Sequence, residues 1–415
     1  MNDGLVIDMF AGGGGASCGL SQAIGREPDI AVNHDIKALM MHAVNHPTTL
    51  HLQEDVFTVK LEQYTRKRHV SLMWASPDCT HFSRARGGKP RSQHIRMLPW
   101  AVYEQSRKIL PDVVCCENVA EIQTWEDYDA FVNAMRGLGY TFECRELVAA
   151  DYGAPTIRRR WYAVFRRDGC RTEWPEQTHA KADTLEALTL PQWVGADTCI
   201  DFDDVGESIF GRKKPLAEAT MRRIRAGISR YVDGNPSPFL VTIGYGERRT
   251  QAPRVRGVDE PLTTIVAGGC KQYLCTPFLT QFNNHCVGQD VRAPINTITC
   301  SPGHFGLVSP FLVPYYGSET EAEDVREPLR TITCRDRFGL VSCEIDGDTW
   351  TLADVYLRML KPEELKLAQG FPKSYVIDHY SDGTRVTKTE QVRRIGNSVV
   401  PLMARRIVEA QMSAA

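Results

Sequence analysis

Over the first 165 residues, short apolar runs that end in turn residues alternate with stretches of helical periodicity. "GLVIDMFA" (4–11) runs into a glycine cluster, "ALMMHAVNHP" (38–47) has helical spacing and stops at Pro47, and "HVSLMWASP" (69–77) is a strand closed by Pro77. "WAVYEQSRKIL" (100–110) is an amphipathic helix ending before Pro111, and "PDVVCCENV" (111–119) is another buried strand. "YDAFVNAMRGLGY" (128–140) is a helix closed by glycines, and "RWYAVFR" (160–166) a further strand. Strands separated by helices of this length predict an α/β fold, a doubly wound parallel sheet with helices on both faces.

At 415 residues the chain is long enough for two or three domains of about 150 residues each. Apolar residues at 42% and charged residues at 24% exclude a mostly disordered chain, a collagen-like chain and a small disulfide scaffold. No run of eighteen apolar residues exists, and the N-terminus "MNDGLVIDMF" lacks a basic n-region and a long apolar h-region, so the expectation is a cytoplasmic protein with no membrane span. None of the thirteen cysteines forms a C-x-x-C pair, which fits free thiols in a reducing compartment, and no metal is expected. The adjacent Cys115 and Cys116 lie in an apolar run and read as packed thiols. The net charge of −2 does not announce a polyanion partner, but the distribution is uneven. Arg84, Arg86, Lys89, Arg91 and Arg96 lie together without an acid, and a second basic cluster at 212–230 contains only Glu218 as acid. Such clusters suit a nucleic-acid face or a solvated surface.

The character changes after about residue 185. Residues 216–231 predict one more helix. "PFLVTIGYG" (238–246), "PFLTQFNNH" (277–285) and "PFLVPYYGS" (310–318) then open three repeats, each followed by an "EPLTTI"-like element at 260–265, 293–298 and 327–332. Gly, Pro and β-branched residues in these units predict short strands and turns. Helical patterning is expected again over 352–372 and 389–411.

Four places carry chemistry. "DMFAGGGGASCGL" (8–20) is a strand ending in glycines before a helix, where backbone N–H groups approach a ligand closely, although the G-K-[ST] ending of a phosphate loop is missing. Asp35, ending a second strand, and Asp55, ending a third, fit an adenosine-containing cofactor, one for ribose hydroxyls and one for an adenine amino group. Either acid alone is more often a surface carboxylate. In "ASPDCTHFS" (75–83), Cys79 follows a strand end, with Arg84 and Arg86 nearby to favour a thiolate, although a lone cysteine there is more often structural. In "CCENV", Glu117 closes an apolar strand, where burial would raise its pKa and let it donate a proton to a ring nitrogen. "GAPTIRRRWYAV" (153–164) sets Arg158 and Arg160 on one side of an extended segment, suited to a carboxylate, phosphate or carbonyl oxygen.

The order of these segments resembles the DNA (cytosine-5) methyltransferases, of phage or bacterial type. "DMFAGGGGASCGL" is similar to their motif I, "SPDC" to motif IV, "ENV" to motif VI, "APTIRRR" to motif VIII, "RMLKPEELKLAQGFP" to motif IX and "RRIGNSVVP" to motif X. Two motifs depart from the family pattern: Asp78 and Thr80 flank Cys79 where Pro-Cys-Gln is usual, and Thr156 replaces a glutamine. The resemblance implies a Rossmann-like S-adenosylmethionine-dependent catalytic domain (1–185), a smaller β-rich target-recognition domain (186–385) that contains the repeats, and a C-terminal segment (386–415) returning to the first domain. It implies S-adenosyl-L-methionine, or a derivative, as cofactor and double-stranded DNA as partner of a monomer. Cys79, Glu117, Arg158 and Arg160 are the implied catalytic residues. The implied cofactor site is Phe10, Ala11, Gly12, Gly14, Asp35, Ile36, Asp55, Val56, Pro77, Asn397 and Val399. Ser83, Arg84, Arg86, Arg248, Arg249 and Arg254 are the expected DNA contacts. Two other readings stay open: an RNA methyltransferase of the same fold, and a catalytically inactive DNA-binding module.

Overall fold

A computed structural model describes residues 4–78, 97–243 apart from 205, 210–211, 218–219, 222–223 and 225–236, then 251–268, 271–280, 311–312, 323–324, 341–345 and 348–413. The chain divides into two compact units, residues 1–199 with 261–270 and 362–415, and residues 200–260 with 271–361. The expected boundaries are 185/186 and 385/386; the two compact units change over at 199/200 and 361/362, with 261–270 in the first.

The first unit begins with β1 (Leu5–Met9), α1 (Gly15–Ile24), β2 (Ile30–Asn33), α2 (Ile36–Asn45), β3 (Leu50–Gln53), α3 (Leu61–Thr65) and β4 (Val70–Ala75). It continues through α4 (Leu98–Ile109), β5 (Val113–Asn118), α5 (Tyr128–Gly137), β6 (Thr141–Val148) and β7 (Arg159–Arg166). Among the described residues these strands make one seven-stranded sheet in the order β3-β2-β1-β4-β5-β7-β6. The order reverses between β1 and β4, the switch point at which doubly wound sheets bind ligands outside their carboxyl ends.

β1 to β5 are parallel, and the side chains of the central β1, β4 and β5 alternate between two apolar layers, as strands buried on both faces require. Ile7, Met9, Met73, Val114 and Cys116 pack against Ala101 and Val102 of α4 and Phe131 and Met135 of α5. Val6, Leu72, Trp74, Val113 and Cys115 face Leu20 of α1 and the last helix. Cys115 and Cys116 thus point to opposite layers, and burial pushes the Cys115 thiol up to about 12. The sheet is not wholly parallel as expected. β7 runs antiparallel to both β5 and β6. β6, "TFECRELV", was not anticipated, because an edge strand with charged Glu143, Arg145 and Glu146 carries little apolar signal.

Three helices complete the unit, α6 (Pro362–Ala368), α7 (Lys388–Asn397) and α8 (Pro401–Ser413). α8 packs on α1 so closely that a Cβ on Gly19 would sit 2.7 Å from Ala404 Cβ and would collide with the Pro401 carbonyl. Gly19→Ala is expected to lower stability by about 1–3 kcal/mol in urea unfolding, because overpacking outweighs alanine's better helix propensity. A stabilised variant would show that the two helices can move apart.

In the second unit, β8 (Glu207–Ser208), β9 (Phe239–Thr242), β10 (Val255–Gly257), β11 (Gln272–Thr280), β14 (Val341–Ile345) and β15 (Asp348–Met359) form an antiparallel sheet, and β12 (Phe311–Leu312) pairs with β13 (Glu323–Asp324). Residues 352–359, expected to be helical, are strand. Val355 and Leu357 alternate into a core with Phe239, Val241 and Cys275, and helix begins only at Pro362. Of the helix expected at 216–231, Leu216 and Ala217 are described outside any helix, and Thr220, Met221 and Ile224 as helical residues. The first "PFL" segment opens β9, the second lies within β11, and the third contributes Phe311 and Leu312 to β12. Most of the rest of the repeats lies outside the described residues. The first "TTI" element does not build this sheet as expected: Leu262 pairs with Thr156 in the first unit.

Candidate active site

The site is assembled at the carboxyl edge of the first sheet. β1 ends at Met9, and the chain turns at once through Phe10, which takes a left-handed conformation (φ 64°) that a bulky residue adopts only under tertiary constraint. Gly14 (φ 88°) then caps α1, whose first N–H groups have no partners within the helix; that of Ser17 turns to Asp8. The loop is held from two sides. Asn33 Nδ2 donates to Ala11 O at 2.9 Å, and the Tyr375 hydroxyl donates to Gly13 O at 2.8 Å. A Cβ on Gly14 would overlap that hydroxyl, whereas one on Gly12 would stand in open space. The glycine cluster therefore serves both packing and a free backbone surface.

Two strands away, Asp55 follows β3. Its Oδ1 accepts from Phe57 N–H at 2.8 Å, while Oδ2 has no hydrogen bond among the described residues. Val56 beside it is buried, and Ile36, the first residue of α2, stays 45% exposed at the same sheet edge. Asn397 is exposed at the end of α7, and Val399 packs its carbonyl on Gly15.

Asp35 is held by the protein on both oxygens. It caps α2, with Oδ1 accepting from Lys37 N–H at 3.0 Å, and its Oδ2 lies 2.7 Å from Arg394 Nη2. The N-cap was legible, since an aspartate directly before a helical run is a standard cap signal. The partner, 359 residues away, was not.

At the next strand ends, Pro77 and Asp78 follow β4, and Glu117 and Asn118 end β5. Asn118 Nδ2 donates to Pro77 O at 3.1 Å and so fixes the start of the loop that carries Cys79. Glu117 is 6% exposed. Because β7 is antiparallel to β5, its first residues arrive beside the end of β5. Arg160 Nε lies 3.2 Å and Arg158 Nη2 4.0 Å from Glu117 Oε1. The burial argument made for Glu117 from sequence left these two cations out. Arg158 Nη1 also donates to Gly396 O at 3.1 Å, joining the β7 entrance to the end of α7. Thr156 is fully buried, and its hydroxyl has no hydrogen-bond partner among the described residues. Cys79, Ser83, Arg84, Arg86, Arg248 and Arg249 lie outside the described residues. Arg254, in the second unit, is half-buried, and its carbonyl accepts from Thr242 N–H. Of the 212–230 cluster, Arg212 spends its guanidinium on the carbonyls of Glu207, Ser208 and Leu357.

A buried polar chain under the glycine loop was missed altogether. Ser17 Oγ donates to Asp8 Oδ2 at 2.7 Å and meets His42 Nε2 at 2.8 Å, and His42 Nδ1 meets His51 Nε2 at 2.8 Å. His46 stands 3.4 Å from the Tyr375 hydroxyl. Its signal was an acid inside an apolar strand and three histidines within ten residues. Burial pushes the Asp8 carboxyl up to about 7 against the Ser17 hydrogen bond, and burial holds His46 down to about 4 and His42 well below its usual value. Asp8 thus favours folding most below pH 4 and loses that contribution as pH rises to about 7. The histidines oppose it, losing stability as pH falls below their usual 6.5. Asp8→Asn keeps an acceptor for Ser17 and does not ionise. Its stability relative to wild type should therefore rise between pH 4 and 8 by an amount on the order of a few kcal/mol. Urea unfolding at several pH values checks this, and a pH-independent difference would rule out Asp8 as a titrating group.

The architecture is that of the doubly wound α/β proteins with ligands at the switch point. Residues 5–211 match the family model of the C-5 cytosine-specific DNA methylases, and the chain belongs to that family. It is 28% identical over 187 residues to the type II methyltransferase M1.HphI of Haemophilus parahaemolyticus, covering 43% of this chain and 50% of the relative. It is also 28% identical over 232 residues to M.NaeI of Lentzea aerocolonigenes, covering 53% and 55%. The chain spans about half the length of these curated relatives. Among solved structures, Spodoptera frugiperda DNMT2 (a triple mutant) aligns with a TM-score of 0.54 at 14% identity over 99% of both chains. The Entamoeba histolytica methyltransferase EhMeth aligns with 0.53 at 13% identity over 100% and 99%. At these identities the two structures speak to the fold alone. No helix among the described residues is long and apolar enough to cross a membrane.

Proposed function

We propose that the chain is a DNA cytosine-5 methyltransferase that uses S-adenosylmethionine. The observation that carries this reading is the convergence at one sheet edge of Glu117 with Arg160 at 3.2 Å, and of Pro77, tied to Asn118, leading into Cys79. A cytosine needs such a set: a nucleophile for C6, a carboxyl group for N3 and the exocyclic amine, and a cation for the O2 carbonyl.

The glycine loop fits the cofactor. Gly12 opens on free space, α1 begins directly behind the glycine loop, Asp55 Oδ2 is available to an amino group, and Ile36 offers an exposed apolar face to a purine. When bound there, the cofactor supplies an electrophilic methyl group. Asn397, Val399 and Val56 complete the wall.

The protein's own groups do the rest. Cys79 thiolate adds to C6 of a cytosine flipped out of the duplex, which makes C5 a nucleophilic, enamine-like carbon. Glu117 holds a proton at N3, and Arg160 binds O2, with Arg158 supporting through Glu117 and Gly396 O. Once C5 has taken the methyl group it gives up its proton, the C6–S bond breaks, and Cys79 is regenerated. The loop beyond Cys79, with Ser83, Arg84 and Arg86, and the repeats of the second unit, with Arg248, Arg249 and Arg254, contact DNA in this reading and choose the sequence.

Incubation with labelled methyl donor and either duplex DNA or structured RNA tests the proposal, followed by bisulfite sequencing of DNA from cells that express the chain. Label in RNA alone would move the chain to an RNA substrate. DNA binding without any transfer would leave a binding module.

A further inference from the structure

We infer that Arg394 is a positioning residue of the cofactor site, tying the end of β2 to the helix that presents Asn397 through an ion triad with Asp35 and Glu390. The inference rests on the cofactor reading above and deepens it.

Arg394 lies on α7 and is only 8% exposed. Its Nη2 is 2.7 Å from Asp35 Oδ2, and its Nε is 2.7 Å from Glu390 Oε1. A buried guanidinium between two carboxylates is a strongly directional tie, since its planar fork reaches both acids at once. Burial alone would raise the Asp35 carboxyl, yet the Arg394 hydrogen bond and charge hold it below its usual range. Neighbouring Arg393, 46% exposed, also pairs with Glu390 at 2.7 Å but reaches Asp35 only at 3.5 Å.

The stem of Arg394 is fixed as firmly as its tip. A Cβ on Gly13 would come within 3.2 Å of Arg394 Cβ, so the side chain leans on the glycine loop. Ser398 Oγ donates to the Arg394 carbonyl at 2.9 Å, and the next residue, Val399, packs its carbonyl on Gly15. One side chain therefore sets the spacing between three parts of the site: the glycine loop, the start of α2 with Ile36, and the Asn397–Val399 turn. Asp35 has one oxygen on the α2 cap and the other on Arg394, so the same carboxylate joins the two elements.

The test uses the full chain, wild type and the variants Arg394→Gln, Asp35→Asn, their double, and Arg393→Gln as a neighbouring control. Affinity for S-adenosylhomocysteine is measured by calorimetry well below each unfolding midpoint, beside KM for the methyl donor and for DNA. Arg394→Gln and Asp35→Asn should each weaken S-adenosylhomocysteine by about tenfold or more, with KM for the methyl donor rising and KM for DNA unchanged. The double should be no more than about twofold weaker than the worse single, because both remove one tie. Arg393→Gln removes only the exposed pairing with Glu390 and leaves Arg394 on Asp35, so it should stay within about twofold of wild type. Single variants that bind like wild type, or losses that simply add, overturn the inference. Should Arg394→Gln fail to fold, Arg394→Lys keeps the charge but cannot span both acids. It should still weaken binding, and wild-type affinity in that variant overturns the inference too. A wild type that binds S-adenosylhomocysteine but methylates neither DNA nor RNA speaks against the proposed activity, and the binding ratios still decide the role of Arg394. A wild type that does not bind it overturns both.

Discussion

Replacing Cys79 by serine is expected to abolish methyl transfer while leaving DNA binding largely intact. The hydroxyl is nearly the same size but a far weaker nucleophile near neutral pH, so the addition to C6 that activates C5 is lost. Removing a nucleophile from a site whose members act as one unit lowers turnover on the order of 10⁴-fold or more. Phosphate contacts, which carry most of the affinity for DNA, are made by other residues. Retention of more than a small fraction of wild-type turnover by the serine variant sinks the covalent mechanism. A complementary check places 5-fluorocytosine at the target. C5 then has no proton to lose, and a covalent protein–DNA complex should accumulate with wild type and be absent with Cys79→Ser on denaturing gels.

Glu117→Gln should be the next most damaging change. The amide has nearly the shape of the carboxyl group, so the strand end and the Asn118–Pro77 hydrogen bond should survive. What disappears is a group able to hold or release a proton at N3, together with the anion beside Arg160 at 3.2 Å and Arg158 at 4.0 Å. General acid–base groups are worth about 10²–10⁴-fold, and a loss of that size is expected in single-turnover rates. Two cations left facing a neutral amide should also reduce stability by about 1–3 kcal/mol. Affinity for S-adenosylhomocysteine should not change, since the glycine loop lies at other strand ends. A single-turnover rate within tenfold of wild type would reduce Glu117 to an architectural ion-pair partner of the arginines.

Local pattern alone determined much of the first unit. Continuous apolar runs predicted β1, β4, β5 and β7, because a strand buried on both faces must be apolar at every position, and the glycines and Pro77 marked where the chain leaves the sheet. That put Glu117 and the residues leading to Cys79 at strand ends. The same rule failed where burial is one-sided. β6 pairs with a single neighbour and is mostly polar, so it left no run to read. Residues 352–359 mix apolar and polar residues in a way that suits either period, and only antiparallel pairing with β11 made them a strand. Tertiary structure alone decided the partners. Asp35 meets Arg394 across 359 residues, Arg158 reaches Gly396 O across 238, and Leu262 leaves its own repeat to pair with Thr156. The sequence determines which residues are buried and what pitch they follow. It does not state which buried charge lies beside which, because that depends on the order in which strands are laid into the sheet, and a charge's chemistry follows from its neighbour as much as from its own side chain.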